Sequence, residues 1–297
     1  MNRRSLVKIS PVLCAIVLMQ TFTLIPALAQ PLVLLHSFGH FKHARCISRD
    51  PAGFLYVSDD AAHVVKKFSP TGDEVKSIGG LGWGENQFDN PSGIDARFGI
   101  EVYVADYGNH RIQRFDKTLS FIGSLFMREN ADPNLRFGYP IDLVISRLGE
   151  LYFIDSENNR IMKMNSFSTV DRIFGTVESG TGQLASPRGI ALGEDEKVYV
   201  LENSRIVVFD TFGNYLYDIG KEIFNAAKGF CIAGDTIYLV TEDSLFLWRI
   251  DKTLIGKISA KEFLGITEME KFEDISVGDQ KIFLLTTNEV HVFQIPS

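Results

Sequence analysis

One stretch constrains the fold more than any other: Val102 to Asp116, VYVADYGNHRIQRFD, returns in worn copies along the chain. It predicts a β-branched and aromatic strand ending at Asp106, a turn at Gly108-Asn109, and a returning strand with Ile112, Arg114 and Phe115. Aligned on the first strand's aromatic, the copies fall at Tyr56, Tyr103, Tyr152, Tyr199, Tyr238 and Phe283, with spacings of 47, 49, 47, 39 and 45 residues. A supersecondary unit of about 40–50 residues is the period of a four-stranded propeller blade. The expected fold is therefore all-β: a six-bladed β-propeller of four-stranded antiparallel blades.

Each copy can be divided into strands A to D. Strand A follows a bulky apolar residue and often a proline, as in Phe88 to Pro91, Phe137 to Pro140 and Leu184 to Pro187; in the last copy Met269 precedes Asp274-Ile275. Strand B is the aromatic anchor, and strand C is Arg111 to Phe115 or its equivalent. Strand D is Glu74 to Ile78, Leu119 to Ile122, Val170 to Phe174, Tyr215 to Ile219 and Leu254 to Ile258. That supplies a D strand to five copies and leaves the sixth without one. Leu32 to Gly39 has the pattern of Val170 to Gly175, so the N-terminal strand is expected to close the last blade, since an open ring leaves unpaired strand edges. One propeller is expected over residues 30–297.

Pro91-Ser92-Gly93-Ile94-Asp95, Val102 to Asp106 and Gly108-Asn109-His110-Arg111-Ile112 resemble the NHL-repeat family of six-bladed propellers. Repeats two, three and four carry the resemblance through Asn109/Arg111, Asn159/Arg160 and Asn203/Arg205. Repeat one has Val64 in the arginine's place, and the last two have no equivalent. The resemblance implies the architecture and leaves activity open, because one fold hosts many functions. The family includes a zinc-dependent amidating lyase, and related six-bladed propellers include calcium-dependent lactonases.

Residues 1–29 look like a cleavable export signal. Arg3, Arg4 and Lys8 form a basic start, Val12 to Met19 is apolar, and Ala27-Leu28-Ala29 is a small-residue cleavage site. The apolar run falls short of the roughly 20 residues needed to span a bilayer, so no membrane span is expected after cleavage. Arg3 to Lys8 also resembles a twin-arginine signal; either route leads to a periplasmic or secreted protein. Net charge is −7, and removing those three cations leaves −10. Such an acidic body repels phosphate backbones, which argues against nucleic-acid binding. Cys46 and Cys231 fall on innermost strands of non-neighbouring blades and are expected as buried free thiols.

The recurring acid–arginine pairs (Asp106/Arg111, Asp155/Arg160, Glu202/Arg205) could pass for catalytic pairs. Their repetition instead points to a tie between the B–C turn and a neighbouring blade. A catalytic zinc needs three converging ligands. His36, His40 and His43 crowd before the first blade, but only His40 and His43 approach the channel mouth, so no cofactor is expected. The alternative is Ca²⁺ or Zn²⁺ at the mouth, with Asp142, Asp274 and His43 as ligands.

The non-repeating positions carry more information. Arg45, Gly93, Asp142, Gly189, Gly229 and Asp274 should face the channel, preceded by Ala44, Ser92, Ile141, Arg188, Lys228 and Glu273. Arg45, Arg188 and Lys228 opposite Asp142, Asp274 and Glu273 would bind a polar ligand or peptide, or simply line a water-filled channel. Trp83 stands among Gly79, Gly80, Gly82 and Gly84, and the long link from Ser124 to Tyr139 holds Phe126, Met127, Arg128 and Tyr139. Aromatic, Met and Arg side chains are enriched at interfaces; the alternative is that Trp83 folds over the next blade. The expected function is a monomeric, non-enzymatic binding module or scaffold, holding a protein or a polar small-molecule or peptide ligand on the D–A/B–C loop face. The alternative is a metal-assisted lyase or hydrolase at the channel mouth.

Overall fold

The structure, a computed structural model, describes residues 32–266 and 270–295. The expected export segment and Met269 lie outside the described residues. Six sheets form a ring of antiparallel blades, with strands in the order A-B-C-D within each of the first five.

Blade 2 shows how the sequence makes a blade. Its strands are Pro91–Asp95, Glu101–Asp106, Arg111–Asp116 and Phe121–Phe126. Successive side chains of a strand point to opposite faces of the sheet. Val102, Val104 and Phe115 therefore pack with Tyr56 and Val65 of blade 1, while Tyr103, Ala105 and Ile112 pack with Leu143 and Phe153 of blade 3. Both faces are covered, so strand B is a continuous apolar run rather than an alternating one. The same arrangement gives six apolar clusters, each made by two adjacent blades, in place of one central core.

The closure is as expected. Leu32–Phe38 lies antiparallel to Val290–Gln294, pairing Leu34 with Phe293 and Ser37 with His291. The last sheet also carries an addition that the repeat does not contain: Phe263–Leu264 runs parallel to the closing strand, pairing Leu32 with Phe263.

Strand D of blade 2 departs from the expected span. It begins at Phe121, not Leu119, and runs to Phe126, so Ser124 belongs to the strand and the link to blade 3 is 127–139. The cause is Asp116. Its carboxylate accepts the N–H groups of Thr118 and Ser120 at 2.8 and 2.9 Å, closing a turn in which Leu119 has a φ of 58°. Within the link, Asp132 caps a short 3₁₀ turn, Pro133–Leu135.

Candidate functional site

The acid–arginine pairs hold the loops of one face. Asp106 is fully buried and accepts the Asp89 N–H at 2.8 Å and the Arg111 Nε at 2.7 Å. Arg111 then donates to the carbonyls of Trp83, Gly84 and Gln87 in the link arriving from blade 1. Asp155 and Arg160 repeat this on Gly138 and Arg136, and Glu202 and Arg205 on Ala185, Ser186 and Gln183. Blade 1 keeps the acid without the arginine: Asp59 accepts the Lys42 and His43 N–H groups. These groups tie each B–C turn to the incoming link, a structural task.

Trp83 sits on the platform thus made. Its ring meets Phe126 edge-on at 5.4 Å and covers the Arg111 guanidinium at 4.9 Å, yet 52% of the residue stays exposed. Tyr139 contacts His110 at 4.1 Å and Tyr107 at 5.1 Å, with the Arg128 guanidinium 5.9 Å from its ring centre. Burial and the nearby Arg128 charge hold the His110 imidazole below its ordinary pKa. Trp83, Phe126, Arg128, Tyr139, Tyr107 and His110 therefore form one row along blade 2. Tyr107 was not singled out in the sequence; its signal was an aromatic in a B–C turn otherwise made of polar residues and glycine.

The channel lies at the ring axis, a cavity of about 990 Å³ lined by Arg45, Asp142, Arg188, Lys228, Glu273 and Asp274 among others. Arg45 pairs with Asp60 at 3.4 Å, and His43 shares that carboxylate at 2.7 Å. Lys228 lies 3.3 Å from Glu273 and 3.4 Å from Glu242. Arg188 is exposed, with no ion pair recorded for it among the described residues. Most of the mouth's charges are thus locally compensated, and Arg188 is available to a ligand.

Asp142 and Asp274 are linkers between blades. Asp142 accepts the Ile190 N–H of blade 4 at 2.9 Å, and Asp274 accepts the Ile47 N–H of blade 1 at 2.9 Å. Glycine is required behind each. A Cβ on Gly93 would come within 2.3 Å of Asp142 Oδ1, and one on Gly229 within 2.1 Å of Asp274 Oδ1. Burial raises both carboxyls, to about 8 for Asp142 and about 7 for Asp274. Cys46 and Cys231 are free, as expected, but only half-buried, on the channel wall. Burial, reinforced by Asp274, pushes both thiols up, which keeps them protonated. Among the described residues, one group of three His, Cys, Asp or Glu side chains brings its ligand atoms within 4.8 Å of one another, and it is Glu270, Glu289 and His291, away from the mouth. Asp142, Asp274 and His43 do not form such a group among the described residues.

No protein-family model matches the chain. It is 30% identical over 146 residues to the Drosophila melanogaster protein brain tumor, covering 48% of this chain and 14% of that protein. It is 30% identical over 162 residues to the Caenorhabditis elegans B-box type zinc finger protein ncl-1, covering 50% of this chain and 18% of that one. The human NHL repeat-containing protein 3 matches at 22% over 209 residues, 65% of this chain and 58% of the relative. The chain is an NHL-repeat propeller. It spans less than a fifth of the first two relatives, and their NHL similarity covers about half of it. Among solved structures, a virginiamycin B lyase from Staphylococcus aureus superposes on the NHL propeller with a TM-score of 0.60 at 14% identity, over 85% of this chain and 80% of the lyase. A streptogramin B lyase does so with 0.61 at 12%, over 88% and 97%. At such identities the likeness concerns the fold.

Proposed function

We propose that this NHL propeller is an exported binding scaffold that holds a protein or polar ligand on the D–A/B–C loop face. The observation that carries the reading is the row Trp83, Phe126, Arg128, Tyr139, Tyr107 and His110. It leaves large rings exposed, with Trp83 on a link that Arg111 fixes by three carbonyl contacts and Tyr139 beside a link held by Asp155 and Arg160. Preorganised aromatics beside an arginine form an anchor at little ordering cost. Arg188 at the adjacent mouth adds a cation for an acidic group on the ligand. The three relatives, one of them a human NHL repeat-containing protein, support protein binding as the coarse role. The export signal is read from Arg3 to Ala29 alone.

The experiment is a pull-down from an extract of the source organism with wild type, Trp83→Ala and Tyr139→Ala side by side. Loss of an exposed ring should leave stability within about 1 kcal/mol. At an anchor the same change weakens binding by about 2 kcal/mol or more. Retained partners unchanged in both variants, with a thermal midpoint many degrees lower, would make the row packing and refute the assignment.

A further inference from the structure

The B–C turn of blade 6 reverses the charge pattern of blades 2, 3 and 4. Ladder register makes the equivalence explicit. Tyr103 pairs with Arg114 in blade 2 as Phe283 pairs with Val292 in blade 6. Counting back along strand C, Glu289 then occupies the place of Arg111, and His291 the place of Gln113. The same register puts Arg160 and Arg205 there in blades 3 and 4. Three blades thus insert a guanidinium into the incoming link, while blade 6 presents a carboxylate. The acid that holds the arginine elsewhere is replaced by Thr286, whose hydroxyl donates to the Glu289 carbonyl at 3.0 Å and accepts the Glu289 N–H at 3.2 Å.

The link entering blade 6 supplies Glu270, a second carboxylate, which meets the Nε2 edge of His291. His291 is 2% exposed, and its Nδ1 lies 2.7 Å from Ser37 Oγ on the closing strand. One imidazole nitrogen and one oxygen each from Glu270 and Glu289 all lie within 4.8 Å of one another. Two carboxylates and a buried imidazole thus stand together at the position that carries an arginine in blades 2 to 4.

We propose that Glu270, Glu289 and His291 form a binding site for a divalent transition-metal cation of the zinc class, taking the place of the arginine that locks blades 2, 3 and 4. One imidazole and two carboxylates is a donor set for Zn²⁺, with Zn–N and Zn–O distances of about 2.0–2.2 Å and a fourth position left to water. Calcium wants six to eight oxygens and is the poorer fit. Ser37 is the outer partner that sets which imidazole nitrogen faces the metal, as such residues commonly do. Because Ser37 belongs to the closing strand and Glu270 to the incoming link, the metal would clamp both to strand C. The site is separate from the aromatic row, so it stands or falls independently of the binding function.

The test is calorimetric titration of ZnCl₂ into the untagged, chelator-treated and desalted full-length protein, with CaCl₂ as comparator and thermal midpoints alongside. One zinc per chain and a raised midpoint are expected. Glu289→Gln and, separately, Glu270→Gln should weaken zinc by about tenfold or more, with Ser37→Ala weakening it less. Circular dichroism checks that each variant folds; should one fail, the other carries the comparison. No zinc uptake by wild type would overturn the proposal. So would uptake that folded Glu289→Gln and Glu270→Gln leave unchanged, which would place the ion on other histidines, or calcium binding as tightly as zinc.

Discussion

Replacing Arg111 by methionine tests whether the acid–arginine pairs hold the loop face. Methionine keeps much of the apolar stem beneath Trp83 and removes the guanidinium. Four hydrogen bonds go with it: Nε to Asp106 at 2.7 Å, Nη1 to the Trp83 carbonyl at 2.7 Å, and Nη2 to the Gly84 and Gln87 carbonyls at 3.0 and 2.9 Å. Asp106 keeps the Asp89 N–H and the amides of Asn109 and Gln113, but loses its counter-ion while fully buried. Breaking a buried ion pair from one side costs about 3–5 kcal/mol, and the remaining donors put this case near the lower end. In a domain of this size that lowers the thermal midpoint by on the order of 10 °C. Arg128→Met is the control. Its partner Glu157 lies at 2.8 Å, with side chains 36% and 39% exposed, so its loss should cost about 1 kcal/mol or less.

Urea denaturation of the three proteins measures the difference, and pH supplies a second arm. Burial raises the Asp106 carboxyl, against the pull of Asn109, the Asp89 N–H and Arg111. A carboxyl raised on folding favours the folded state at low pH and loses that contribution as pH climbs through its folded value. Removing Arg111 raises it further, so the penalty should shrink toward acid pH, where Asp106 is protonated. Equal and small penalties for Arg111→Met and Arg128→Met would refute the reasoning.

Two further outcomes follow from the ring. Deleting residues 32–38 strips the outer strand from blade 6 and should lower the thermal midpoint sharply; an unchanged midpoint would contradict the closure. Asp142 and Asp274 titrate in the folded protein near 8 and 7, above the ordinary carboxylate range, so their contribution to stability should fall as pH rises from about 5 to 8. Asp142→Asn should flatten the fall of the thermal midpoint across that window, and a profile identical to wild type would count against buried, protonated carboxyls in the channel.

The blades were legible because each strand B is buried on both faces, which leaves a run such as Val198–Leu201 apolar throughout. Closure was legible because Leu32 to Gly39 carries a strand D pattern with no strand C before it. Leu119 misled because its apolar side chain, itself buried, extends an apolar-looking segment, while the turn that excludes it from the strand is made by the Asp116 carboxylate. Phe263–Leu264 left no signal, since two residues show no period. In the site, strand A register placed Asp142, Arg188 and Lys228 on the channel wall. Partner choice was hidden: Lys228 meets Glu273 across 45 residues of sequence, which depends on how neighbouring blades abut. The Glu270, Glu289 and His291 group was readable in principle, as a reversal of sign at the arginine position, but only once the ladder register was known.

The closing strand also sets an order of events. Blades 1 to 5 are built from hairpins whose partners are neighbours in sequence, so each can form as soon as its own segment is available. The last contact is different in kind: Ser37 and His291 lie 254 residues apart. Joining chain ends over such a distance costs loop entropy that only the finished sheet repays. Until strand C of blade 6 is delivered, blades 1 and 6 each lack a packing neighbour, and Leu32–Phe38 has only the two-residue Phe263–Leu264 to pair with. Acquisition of the native ring is therefore gated by delivery of Val290–Gln294, and a chain truncated before that strand would stay an open arc with two adhesive edges.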